Sequence, residues 1–162
     1  MTEKLNDKQR EFTEKIIIGI EQMTNLIDDL LDLGRIEAGV GLSREPCRMD
    51  LLIASAVDGL KPQAANKGLS VTVDVSPELS ALSGDSTLLR QAISNLVENA
   101  IKYTLAGGQV AVRASTDAEK FTLTVTDTGV GISPADQAHL FEKFFRVKQR
   151  GSTQVKGSGL GL

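Results

Sequence analysis

From Asp7 to Glu37 the chain carries one unbroken amphipathic pattern, and that pattern limits what the rest of the molecule can be. Phe12, Ile16, Ile20, Met23, Ile27, Leu30 and Leu31 follow one another mostly at steps of three and four, with Glu, Lys and Gln between them. This is the period of a helix with a single apolar face. No proline interrupts it, and Asn6 or Asp7 can cap its start. Gly39 and Gly41 suit its C-terminus and the residues beyond. A helix of about 30 residues spans roughly 45 Å. That is too long to fold back onto a small domain, so the stripe is expected to meet another helix in a bundle or a dimer. The alternative is a helix lying across its own domain.

The 162 residues leave room for one further domain of ordinary size, and an apolar fraction of 41% is enough to give it a core. A formal net charge of −3 gives no reason to expect nucleic acid or an anionic membrane as partner. No apolar run approaches the roughly 20 residues that a membrane span needs. The opening MTEKLNDKQR is too charged for a secretory signal. Cys47 is the single cysteine, which excludes an internal disulfide and fits a reducing compartment. It reads as a small half-buried residue. A cytoplasmic location is the expectation.

Beyond Gly41 the texture changes. A short strand around Cys47–Met49 leads to Asp50, a candidate cap for a helix through about Asn66. KGLSVTVDVS alternates as a strand does, with Val71, Val73 and Val75 on one face. Asp85 can cap a second helix running through NLVENAIKYT, with Leu89, Ala92, Ile93, Leu96, Ala100 and Ile101 as its buried stripe. After the turn AGG come strand QVAVRAS, the polar turn TDAEK and strand KFTLTVTD, where Phe121, Leu123 and Val125 alternate. Helices and strands interleave around a hairpin, which predicts helices packed on one face of a mixed sheet.

Asn95, Asn99, Lys102 and Tyr103 follow at steps of four, three and one and share a face beside that stripe. Asparagine is a mediocre helix former, because its amide competes for backbone hydrogen bonds. Either this is an ordinary solvated face or something polar binds there. An amide oxygen suits a Mg²⁺ that keeps several waters and takes its anionic ligands from phosphates. A lysine nearby can reach those phosphates as a point charge.

Two glycine segments follow, DTGVGI at 127–132 and KGSGLGL at 156–162. Glycines let backbone approach a ligand closely, and their N–H groups can cradle phosphate oxygens. Asp127, at a strand end, can accept a hydrogen bond from an exocyclic amine such as that of adenine. Neither segment is a Walker loop or the dinucleotide G-x-G-x-x-G. The ordered combination of asparagine helix, Asp-x-Gly-x-Gly and Gly-x-Gly-x-Gly is much more specific than any one part.

NLVENAIKYT resembles the asparagine box of sensor histidine kinases of two-component systems. DTGVGI resembles their first glycine box, FEKFFR (141–146) their phenylalanine box and GSGLGL their second glycine box. DDLLDLGRIEAG (28–39) is similar to the end of the second helix of the dimerisation and histidine-transfer module that precedes the catalytic domain. The resemblance implies an α+β, two-layer sandwich of the Bergerat type, with residues 1–40 as part of the dimerisation module and 41–162 as the catalytic domain. It also implies a signal-transduction role as a kinase that uses ATP and Mg²⁺. Asn99 would coordinate Mg²⁺, with Asn95 beside it on phosphate or metal-bound water. Lys102 would touch phosphate and Tyr103 would lie over the nucleotide. Asp127 would bond the adenine amino group, with Gly129, Gly131 and Ile132 shaping that pocket. A lid would run from about Phe141 to Lys156, with Arg146 near the terminal phosphate. Gly157, Ser158, Gly159, Leu160 and Gly161 would pass under the phosphates at a helix start, where N–H groups and dipole favour anions. Asn95 and Arg146 would be the catalytic pair.

The same fold serves the gyrase, MutL and heat-shock chaperone ATPases. There, as the resemblance implies, a glutamate one turn before the metal asparagine activates water. Asn95 holds that position here and cannot act as a base. Glu98 lies about 100° around the helix from Asn99 and is a poor substitute. Kinase is therefore expected over hydrolase, and a nucleotide-blind docking fragment is the third reading. The family's phosphoacceptor segment is missing, since the only histidine, His139, sits at the edge of the phenylalanine box in a structural position. The family also continues with a helix and two strands after the second glycine box, so the expectation is a piece cut at both ends and inactive alone. In the parent, the histidine-bearing module, a response regulator and a homodimer through residues 7–37 would be the partners, and a membrane anchor on the parent stays compatible with a cytoplasmic location for these residues.

Overall fold

The computed structural model describes residues 5–76, 79, 81–117, 120–142 and 145–147. The chain divides into two compact units, Met1–Gly41 and Leu42–Leu162.

In the first unit, helix α1 runs from Asp7 to Ala38. Asn6 caps it: its side chain accepts from the Gln9 N–H at 2.9 Å, while the Gln9 side chain takes the Asn6 N–H at 3.0 Å. This reciprocal box satisfies two donors that a helix start would otherwise leave open. Gly39 ends the helix in the left-handed region at φ 63°, where a side chain would be strained. The stripe from Phe12 to Leu31 is exposed along its length. No helix among the described residues is long and apolar enough to cross a membrane.

Among its described residues, the second unit has a three-stranded sheet, a two-stranded pair and three helices, the last of them short. In chain order they are β1 (Glu45–Cys47), α2 (Met49–Asn66), β2 (Ser70–Val75), β3 (Leu82–Gly84), α3 (Ser86–Tyr103), β4 (Gln109–Thr116) and β5 (Phe121–Asp127), then a short α4 (Pro134–Gln137). The main sheet has order β2-β4-β5, with β2 parallel and β5 antiparallel to the central β4. Strands β1 and β3 form a separate antiparallel pair. Val110, Val112 and Ala114 alternate along β4 on the buried face. They share one core with Ile53 and Val57 of α2 and with Ile93, Val97 and Ile101 of α3. Thr72, Asp74, Arg113, Thr122, Thr124 and Thr126 occupy the opposite, exposed face. Helices on one face of a mixed sheet, as expected from the interleaved pattern, is the architecture found.

The structure moves several local details. The first strand ends at Cys47 and Met49 already belongs to α2. Arg48 rather than Asp50 stands at the cap position, and no side chain caps that end. Asp50 lies in the first turn, where a carboxylate favours the helix dipole, and takes the Arg48 guanidinium at 2.6 and 3.0 Å. Asp85 caps α3 as expected, accepting from Thr87 and Leu88 N–H at 3.0 and 3.2 Å. The buried stripe of α3 is rotated from the expected one. Val97 is fully buried, whereas Ala92 and Leu96 are exposed. Val97 belongs to the same core cluster as Ile53 and Val57 of α2 and Val110 and Val112 of β4. Val73 shares a face with Val71 and Val75 yet remains 45% exposed, because β2 is an edge strand of this sheet.

Two substitutions separate these faces. Val97→Ala is expected to cost about 2 kcal/mol in urea unfolding, through lost contact and a cavity. Leu96→Ala should cost less than about 1 kcal/mol. Equal losses would contradict the burial found for α3.

Candidate nucleotide site

The elements that position the candidate residues are α3 and the end of β5. Asn95, Asn99, Lys102 and Tyr103 are all half-buried on α3. Asp127 ends β5 and pairs in register with Val110. Strand parity puts it on the face of Leu123 and Val125, the side that the helices cover. One Asp127 carboxylate oxygen accepts the Gly129 N–H at 2.8 Å. That bond turns the chain back toward α3.

Gly129 is where helix and loop meet. A Cβ built there would lie 2.5 Å from the Tyr103 carbonyl oxygen and 2.6 Å from Asp127 Oδ1. Any side chain would separate the loop from the helix end. The next residue donates its N–H, from Val130, to the same Tyr103 carbonyl at 3.4 Å. Thr128 reinforces the join, donating its N–H to Gln109 O at 3.1 Å while its hydroxyl accepts from Gln109 N–H at 2.9 Å. Gly131 has a different reason to be glycine: its φ is 67°, with nothing near a Cβ position. Ile132 is exposed, and its carbonyl accepts from the Gln137 side chain at 2.9 Å.

Positive charge collects beside this junction. Burial lowers the Lys102 pKa below the ordinary lysine value, Glu98 opposes the shift, and Arg146 adds to it. Arg146 is thus near enough for its charge to act on Lys102. The Lys102 ammonium also lies 5.7 Å from the centre of the Tyr103 ring, within range of a cation–π contact. Glu98 is exposed and acts electrostatically on Lys102, one turn further along α3. His139 donates from Nδ1 to Glu142 Oε1 at 2.7 Å and its ring lies 5.4 Å from that of Phe145. These contacts agree with the structural position expected for it.

The end of the asparagine helix and the Asp127–Gly131 loop are therefore brought together, and the charge of Arg146 acts on Lys102. The expected residues Gly157, Ser158, Gly159, Leu160 and Gly161, and most of the expected lid after Glu142, lie outside the described residues. Among the described residues no group of three or more His, Cys, Asp or Glu side chains could hold a metal. The donors on offer are the amide oxygens of Asn95 and Asn99, a set that fits a Mg²⁺ carried by a triphosphate.

Comparison with known proteins identifies the family. A family model described as the His Kinase A (phospho-acceptor) domain matches residues 1–39. One described as histidine kinase-, DNA gyrase B-, and HSP90-like ATPase matches residues 84–162. The mycobacterial sensor histidine kinase MprB, a solved structure, is 32% identical, with 73% of this chain matched to 72% of that one at a TM-score of 0.62. The chain belongs to the sensor histidine kinases. Among such kinases it is 35% identical over 154 residues to SenX3 of Mycobacterium tuberculosis, covering 94% of this chain and 37% of SenX3. Full-length ShkA in complex with AMPPNP matches 98% of this chain, at 29% identity and a TM-score of 0.78. This histidine kinase chain spans 33% of ShkA, about a third of the length of such relatives.

Sequence reasoning missed Lys67, whose ammonium reaches the end of α3. A lysine followed by glycine at a helix end was the available signal. The two glycines of the first loop should respond differently to substitution. Gly129→Ala is expected to cost about 2 kcal/mol because backbone must move. Gly131→Ala should cost about 1 kcal/mol, the strain of a left-handed alanine. Thermal unfolding of both variants checks the order.

Proposed function

We propose that residues 42–162 bind ATP with Mg²⁺ and present its terminal phosphoryl group to a histidine of a dimerisation module, for relay to a response regulator. The observation that carries this reading is the junction at Gly129, where asparagine helix and Asp-x-Gly-x-Gly loop share one backbone contact. Asp127, its one oxygen held by Gly129, recognises the adenine amino group with the other. Lys102 and Arg146 neutralise phosphate oxygens. Asn99, with Asn95 beside it, would hold Mg²⁺, which would supply charge neutralisation for the phosphates. Tyr103 lies along the nucleotide. Gly157 to Gly161 complete the phosphate cradle in this reading. Phosphoryl transfer needs positioning and charge stabilisation more than it needs a base. Asn95, an amide, leaves water unactivated, which favours transfer over hydrolysis. Residues 1–40 are the second part of the dimerisation module, and the exposed stripe from Phe12 to Leu31 supports pairing with another copy.

Titration calorimetry tests the core of the proposal. The chain should bind ATP in a Mg²⁺-dependent way, Asn99→Asp should weaken the Mg²⁺-dependent part, and Asp127→Ala should weaken ATP and ADP alike by about tenfold or more. Heat from neither nucleotide would leave the docking-fragment reading in its place.

The Lys102 shift has a sign that can be read. Only the protonated form attracts phosphate, and its pKa is depressed. ATP affinity should therefore fall as pH rises through a value below the ordinary lysine pKa of about 10.4. Lys102→Arg should remove that fall, measured as Kd against pH.

A further inference from the structure

The last carbonyls of a helix have no partner within it, and α3 ends on the two residues read here as nucleotide contacts. The carbonyls of that turn are nonetheless all taken. Ala100 O accepts the Thr104 N–H at 3.0 Å and the Thr104 hydroxyl at 2.6 Å. Tyr103 O accepts from Val130. The two between them, Ile101 O and Lys102 O, both accept from Lys67 Nζ, at 2.9 and 2.7 Å.

Lys67 is half-buried and stands at the C-cap of α2. Its own backbone is locked. Gly68 is left-handed at φ 66°, the Gly68 N–H bonds Ala65 O at 2.9 Å, and the Leu69 N–H bonds Ala64 O at 2.9 Å. That paired pattern is a Schellman end. Ser70 then donates to Gly108 O at 3.0 Å as β2 begins. The ammonium is thus delivered from a fixed point, and a cation at a helix C-terminus also complements the dipole.

We propose that Lys67 is a positioning residue for the nucleotide site, holding the turn that carries Lys102 and Tyr103 by clamping two consecutive carbonyls. The proposal rests on the reading of α3 as the nucleotide helix. Lys67 acts through α3 rather than on the nucleotide. Without its ammonium, two part-buried carbonyls lose their donor and the last turn loosens. The Lys102 ammonium and the Tyr103 ring then lose the placement that a triphosphate requires, and small misplacements at such sites are costly.

Three variants of the full chain test this: Lys67→Met, Lys67→Arg and Asp85→Ala, the last removing the cap at the opposite end of α3. In the nucleotide-free protein, Lys67→Met should speed amide hydrogen exchange at Lys102, Tyr103 and Thr104 by about tenfold, leaving Leu89 to Ile93 unchanged. Asp85→Ala should do the reverse. In calorimetry, Lys67→Met should weaken ATP by about tenfold, Lys67→Arg should recover most of that loss, and Asp85→Ala should bind as the wild type does despite a lower Tm. Unchanged exchange at residues 102–104 in Lys67→Met overturns the proposal. So does altered exchange with unaltered affinity, which reduces Lys67 to an ordinary cap. A wild-type chain that binds no ATP overturns the reading of the site itself, and is recognised because exchange at residues 102–104 still responds to Lys67→Met.

Discussion

The close approach of the Gly129 backbone to the Tyr103 carbonyl is the constraint on which the rest of the site depends. It is possible because α3 and β5 both take their position from β4. Val97 and Ile101 belong to the core that Val110 and Val112 supply, so the helix cannot lift from the sheet without exposing apolar surface. Asp127 pairs with Val110 in that same strand. The end of β5 and the end of α3 are thereby brought to one edge. The chain must pass between them in two residues, and only a residue without a Cβ fits. The core fixes where a purine-sized ligand could meet an amide-bearing helix face.

Much of this was legible beforehand, and what was missed has a physical pattern. Asp85 as a cap, Gly39 as a stop and the alternation of Phe121, Leu123 and Val125 are local signals, each set by a residue and its immediate neighbours. On α3, Ile93, Ala100 and Ile101 are buried as expected, and the misplaced part of the stripe, Ala92 and Leu96 in place of Val97, is a tertiary effect. Leu96 and Val97 are both apolar, and only the presence of α2 beside the sheet decides which one is buried. Asp50 failed as a cap for a related reason: the helix began before it, and its carboxylate pairs with Arg48 instead. Lys67 was passed over although a lysine before glycine marks a helix end, because its partners are carbonyls 34 and 35 residues away. A side chain that bonds to backbone leaves no pattern in the partner's sequence. The candidate site residues rest on motif order, and the contact at Gly129 joins the first two of those motifs.

The electrostatics agree with transfer more than with hydrolysis. Lys102 is desolvated and lies near a second cation, Arg146, an arrangement unfavourable to the chain alone and relieved by a bound polyanion. Glu98, the carboxylate nearest to hand on α3, acts on Lys102. It sits on the wrong side of the helix to activate a water beside Asn99. Among the described residues, Lys102, Arg146, Asn95 and Asn99 offer charge and amides suited to holding a triphosphate, and Asn95 cannot act as a base to attack one.

Such a site must get its effect from geometry, and α3 is fixed at both ends by elements that do not depend on each other. At the start, Asp85 uses one oxygen for Thr87 and Leu88 and the other for the Ser43 N–H at 3.1 Å. At the finish, Lys67 and Val130 take three successive carbonyls. Sliding the helix by a single residue would move it about 1.5 Å and break both sets of bonds at once. Loosening one end leaves the other intact, so the helix can fray but not shift register. Asn95 and Asn99, in the middle of its length, therefore inherit their position from bonds made well away from them.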